Sequence, residues 1–121
     1  MTFNPLDFLT LAQTTVSDKE AEIRTAISRA YYGLFLKARD HLSAAGYLVP
    51  SGSGDDHGAV IFALRSHRRV LAGDRFHRLR DLRTIADYDT SASVQAAHLE
   101  RTLNLARDIQ RLLAPDWGIT T

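Results

Sequence analysis

Cysteine is absent from the 121-residue chain, which excludes disulfides and thiolate metal sites. Apolar runs extend over only a few residues, too few to cross a bilayer. The start, Met1-Thr2-Phe3-Asn4-Pro5, lacks the basic residues and apolar stretch of a secretory signal. A cytoplasmic location without a membrane partner is the expectation. His41, His57, His67, His77 and His98 include no pair three or four residues apart, so paired helical metal ligands are missing and neither metal nor cofactor is expected. Ser51-Gly52-Ser53-Gly54 has no lysine and no strand before it, so it is not a phosphate-cradling P-loop. No serine-hydrolase elbow is present, and no segment alternates as a strand pair does.

What is present is ordinary globular material. Hydrophobic residues make up 45% and charged residues 24%, enough for one core and one domain over residues 1–121. Net charge is only +1, but its distribution is uneven. Residues 1–64 hold five Lys/Arg against seven Asp/Glu, and residues 84–121 hold three against five. Residues 65–83 hold seven arginines against Asp74 and Asp81. Arginine suits planar, bidentate contact with phosphate, so a phosphate-bearing partner is the natural expectation; the plainer reading is a solvated basic helix face.

The pattern of apolar residues is helical throughout. Asn4 caps a short helix with Pro5 at its first position, and Leu6, Phe8, Leu9 and Ala12 face inward. Ser17-Asp18-Lys19-Glu20 has the form of a capping box and opens a helix of nearly thirty residues. Ile23, Ala26, Ile27, Ala30, Leu34, Ala38, His41, Leu42 and Ala45 share one face of it, and Gly46 stops it. Pro50 to Gly54 reads as a mobile loop. Asp55 or Asp56 then caps a third helix bearing Ala59, Val60, Phe62, Ala63 and Leu64 and running to about Val70. Leu71-Ala72-Gly73 is expected to break it, with Asp74 capping a fourth helix whose inward stripe is Leu79, Leu82 and Ala86. A last helix carries Val94, Leu99, Leu103, Ala106, Ile109, Leu112 and Leu113, and Pro115 is expected to stop it. The fold class is therefore all-α, an antiparallel up-and-down bundle of about five helices.

Chemistry concentrates on the fourth helix. At about 100° per residue, Arg80, Arg83 and Asp87 share a flank beside the inward stripe, and Arg83 and Asp87, four apart, are spaced for an ion pair. Tyr88 lies about 140° around from Arg83 on an ideal helix and joins it only if the helix ends there or a second subunit brings its own copy. Arg83, Tyr88 and Asp87 are the candidate reactive groups, and Arg80, His77 and His57 the candidate phosphate contacts. Tyr31 and Tyr32 read as core and interface filler.

Three stretches carry a family resemblance. Ser28-Arg29-Ala30-Tyr31-Tyr32-Gly33 resembles the S-R-x-Y-Y-x segment of prokaryotic HEPN domains, and Leu82-Arg83-Thr84-Ile85-Ala86-Asp87-Tyr88 resembles their later L-R-x-x-A-D-Y segment. Asp56-His57-Gly58-Ala59-Val60 is similar to the histidine-led start of the helix between them. The resemblance spans roughly residues 5–113, in order and in register. It implies a helical bundle that forms a homodimer and acts on RNA or a nucleotide. Active members of that family are metal-independent endoribonucleases, and many are encoded beside a nucleotidyltransferase antitoxin. Their signature is an arginine followed after four to six residues by a histidine. Here Arg83 fits the arginine, and Tyr88 stands where the histidine is expected. A phenol ordinarily ionises near roughly pH 10 and is a poor base at neutrality, though it donates hydrogen bonds. Three roles stay open: a ribonuclease-type toxin or defence component, a non-catalytic module binding RNA, a nucleotide or a nucleotidyltransferase, and a structural dimer.

Overall fold

The computed structural model describes residues 2–117. Five helices follow one another: α1 (Leu6–Gln13), α2 (Glu20–Ala44), α3 (Asp55–Ser66), α4 (Val70–Tyr88) and α5 (Ala96–Trp117). No strand occurs among the described residues, and no described helix is long and apolar enough to cross a membrane. Each helix packs on the next, and α2 also packs on α4 and α5. This is the up-and-down bundle expected, wrapped around a 25-residue α2, ~37 Å long at 1.5 Å per residue.

The stripe read along α2 is the centre of the core. Ile23, Ala26, Ile27, Ala30, Leu34, Ala38 and Leu42 are all buried, as are Tyr31 and Phe35 beside them. Gly33 is buried where α1 crosses α2, and a Cβ there would stand 2.9 Å from the Pro5 carbonyl oxygen and 3.0 Å from the Leu9 nitrogen. The two backbones approach so closely only because that position has no side chain. Gly46 ends α2 with φ +82°. The Tyr47 N–H donates to the Leu42 carbonyl and the Gly46 N–H to that of Ser43, the paired bonds of a Schellman cap.

Several boundaries differ from expectation, each for a local reason. The Ser17 hydroxyl accepts the Lys19 N–H in a tight turn, so no capping box forms; α2 begins at Glu20, whose carboxylate takes Arg24 instead. Helix α3 is capped by Gly54 without a side-chain bond. The Asp56 carboxylate turns back on the preceding loop and accepts the Ser51 N–H and hydroxyl and the Gly52 N–H. That loop, read as mobile, is thus tied to the start of α3. Phe62 faces solvent at 73% exposure and Ile61 takes the inward position.

The break between α3 and α4 falls earlier than the glycine suggests. His67, Arg68 and Arg69 make it, Arg68 adopting φ 66° while the Arg69 N–H donates to the Leu64 carbonyl. That is the wider bond of a Schellman cap, with arginine in the left-handed position that glycine usually fills. Gly73 lies inside α4, buried against the Arg65 side chain and the Ile61 carbonyl. It serves close packing, and Asp74 pairs with Arg65 rather than capping. Pro115 lies inside α5 and does not stop it; so near the last described turn it forfeits a single backbone bond.

Candidate functional site

The three stretches singled out in the sequence meet where α2, α3 and α4 pack together. From α2, residues Ser28, Tyr31 and Tyr32 are spaced three and four apart and so lie on one face. The Ser28 hydroxyl donates to the Asp87 carboxylate at 3.2 Å. Tyr31 Oη and His57 Nδ1 are 2.6 Å apart. The Arg83 guanidinium lies over the rings of Tyr31, Tyr32 and Tyr88, at 5.1, 5.4 and 5.7 Å from their centroids. Guanidinium over an aromatic face is attractive, and more so when desolvated.

Arg83 is the unusual member. It is only 5% exposed, and its ion pair with Asp87 is long, 3.6 Å. Its Nε is the one buried side-chain donor among the described residues that has no hydrogen-bond partner. An unmatched buried donor costs about 1–3 kcal/mol. Such a group in a folded chain calls for a reason, and a ligand-facing role is one.

His57 sits in the first turn of α3, half-buried, its ring stacked 4.2 Å from that of Phe35 and 5.5 Å from that of Tyr31. Burial, and after it the charges of Arg83 and Arg80, hold its pKa below the ordinary 6.5, against the opposing pull of Asp56. Burial likewise pushes the Tyr31 hydroxyl up to about 12, although Arg83 and Arg80 favour its anion. At neutral pH the centre therefore holds a neutral imidazole and a protonated phenol beside two guanidinium groups.

A groove of about 350 Å³ runs alongside, lined by Phe8, Ser28, Arg29, Tyr32, Leu36 and Asp87. The Arg29 guanidinium covers the rings of Phe8 and Tyr32 at 5.2 and 5.5 Å. Tyr32 thus carries an arginine contact from each of Arg29 and Arg83, which joins the groove to the centre.

Of the residues expected at the site, Arg83, Asp87, Tyr88 and His57 are joined through direct contacts and through Ser28 and Tyr31, and the charge of Arg80 acts on His57 and Tyr31. Tyr88 reaches Arg83 within one chain because α4 ends at that residue, and its side chain is otherwise open to solvent. His77 is not part of the group. It occupies the exposed flank of α4, 3.4 Å from Asp81. The arginine run is also divided: Arg65 pairs with Asp74, Arg75 with Asp108, and Arg69 donates to the His67 carbonyl. Those side chains bind the bundle together.

Four contributors escaped the sequence reading: Ser28, Arg29, Tyr31 and Tyr32. The signal for them was the S-R-x-Y-Y segment itself, whose polar members fall on one helical face. Arg24 was also missed. It donates to the carbonyls of Ile85, Ala86 and Ala92 and so closes the end of α4 where Asp87 and Tyr88 stand. No group of three or more His, Asp or Glu among the described residues is placed to hold a metal ion.

An uncharacterized protein of Methanocaldococcus jannaschii is 29% identical over 125 aligned residues, covering 88% of this chain and 75% of that protein. No protein-family profile matches the chain, and no solved structure matches it.

Proposed function

We propose that this chain is a HEPN-type, RNA-directed domain that receives a backbone phosphate at the junction of α2, α3 and α4. The observation that carries the reading is the convergence of the three HEPN-like stretches on a buried, under-satisfied Arg83, with His57 joined to it through Tyr31 and the charge of Arg80 acting on the same histidine. Arg80, with no ion pair among the described residues, meets the phosphate first. Arg83, held by the tyrosine rings, supplies a second fixed charge. Tyr88, exposed at the end of α4, offers a face on which a base of a single strand stacks.

The test is fluorescence anisotropy with a labelled single-stranded RNA. Binding through about three phosphate contacts weakens by roughly tenfold or more between 50 and 200 mM salt. Arg80→Gln weakens binding and flattens that dependence. Salt-insensitive binding, or full affinity in Arg80→Gln, contradicts the reading.

A second reading, a metal-independent endoribonuclease, draws support from the closeness of Tyr88 to Arg83. In that reading the 2′-hydroxyl gives its proton to water and its oxygen attacks the adjacent phosphorus, the bond to the 5′-oxygen breaks, and a 2′,3′-cyclic phosphate and a 5′-hydroxyl result, Tyr88 regaining from water the proton that it gives. Arg80 and Arg83 stabilise the added charge on phosphorus, and Tyr88 donates a proton to the leaving oxygen. Cleavage in chelator by the purified chain, lost in Tyr88→Phe, supports this reading; intact RNA removes it and leaves binding. Under both readings two copies associate and bring two such centres to one cleft, and a nucleotidyltransferase is the expected protein partner. Light scattering giving the mass of a single chain removes the shared cleft.

A further inference from the structure

Tyr31 and His57 form a hydrogen-bonded pair whose proton positions follow from counting donors and acceptors. Tyr31 is 1% exposed, so its hydroxyl hydrogen needs a partner inside the protein. On one side stands Arg83, whose guanidinium lies over the ring 5.1 Å from its centroid and only donates. On the other stands His57 Nδ1 at 2.6 Å. Arg83 offers the Tyr31 hydrogen no acceptor, so that hydrogen goes to Nδ1. The reverse arrangement, Nδ1–H donating to Tyr31, leaves the phenol hydrogen buried without an acceptor.

We propose that Tyr31 is a positioning residue that keeps the His57 proton on Nε2, so that His57 meets a phosphate as a hydrogen-bond donor and not as a base. The inference rests on the phosphate-binding reading above and sharpens it. With Nδ1 engaged from the buried side, Nε2 is the ring nitrogen that has no hydrogen bond among the described residues. The groups around the ring are Tyr31, Tyr32 and Phe35 from α2, Asp56 from α3, and Arg80 and Arg83 from α4. A donor edge beside two guanidinium groups suits an anionic oxygen and disfavours a proton on its way off a hydroxyl. The carboxylates that oppose an anion there are both engaged, Asp56 by Ser51 and Gly52 and Asp87 by Arg83 and Ser28. In the cleavage reading, the proton-accepting role then falls outside His57.

Two measurements test this. The first is the nitrogen-15 spectrum of the histidine rings in the 121-residue chain at neutral pH, which assigns the tautomer whether or not RNA binds. The expected result is a protonated Nε2 and a hydrogen-bonded, unprotonated Nδ1, with the Nδ1 resonance moving in Tyr31→Phe. A proton on Nδ1, or a His57 spectrum unchanged in Tyr31→Phe, overturns the positioning role. The second is RNA affinity by anisotropy. His57→Leu is expected to lose roughly tenfold, the scale of one hydrogen bond to a charged group, whereas His57→Gln, which keeps an N–H donor, recovers most of it. Equal affinity in His57→Leu and wild type overturns the donor role. If wild type binds no RNA, the phosphate reading fails and the donor role with it, while the tautomer result still decides what Tyr31 does.

Discussion

Replacing Arg83 with methionine separates what this residue does for folding from what it does for binding. The favourable terms are cation–π contacts to three rings, about 2 kcal/mol together in a desolvated setting, and a long ion pair to Asp87. That carboxylate is 24% exposed and also accepts from Ser28, so it is not stranded when the arginine leaves. Against these stand an unmatched Nε, about 1–3 kcal/mol, and the desolvation of the guanidinium. Methionine has similar length, fills the space between the rings and gains about 0.3–1.5 kcal/mol per sulfur–aromatic contact. The terms nearly cancel. Arg83→Met is therefore expected to stay within about 1.5 kcal/mol of wild type in urea denaturation, while RNA affinity falls at least roughly tenfold for the lost charge contacts. Arg83→Ala leaves a void among the rings and costs about 2–4 kcal/mol. A loss above about 3 kcal/mol in Arg83→Met, with binding per folded molecule unchanged, would show Arg83 to be a structural staple and refute the reasoning.

Other consequences are equally direct. Arg24→Ala uncovers the carbonyls of Ile85, Ala86 and Ala92 and is expected to cost about 1.5–3 kcal/mol; hydrogen exchange should rise first at residues 84–92. Arg68→Gly relieves the left-handed backbone at φ 66° and should raise stability by up to about 1 kcal/mol, read as a shift of the urea midpoint without a change of slope. The lowered pKa of His57 has a defined sign. The unfolded chain takes up the proton near the ordinary value of 6.5 and the folded chain only at lower pH, so this group's contribution is full above that value. It declines as pH falls from 6.5 toward the folded pKa. Denaturation of wild type across that interval should show a steeper loss than His57→Gln; parallel curves would contradict the placement of His57 among Arg80 and Arg83.

The fold was largely legible because its signals are periodic. The spacing from Ile23 to Leu42 specifies a buried helical face, and Gly46 marks a stop that its left-handed backbone makes real. Legibility failed where a residue type has two uses. Gly73 looked like a break and serves close packing with Arg65, while the left-handed position went to Arg68, which carries no sequence signal for it. Asp56 looked like a cap and ties a loop. The site was half legible: helical geometry put Arg83 and Asp87, four apart, on one flank, whereas it set Tyr88 about 140° away and only the family resemblance paired it with Arg83. Tyr31 pairs with His57 across 26 residues and Ser28 with Asp87 across 59, and no local pattern reveals which side chain meets which. His77 was misplaced because the run of arginines around it suggested one cluster, whereas its members are spread over α3, the α3–α4 turn and α4 and take separate partners.

The most direct measurement is an amide and side-chain NMR titration of the chain with a short single-stranded RNA. The account expects the shifts to gather at Arg29, Tyr32, His57, Arg80, Arg83 and Tyr88, and to fade as salt rises. Shifts confined to the outer faces of α1 and α5, or none at saturating RNA, would contradict it.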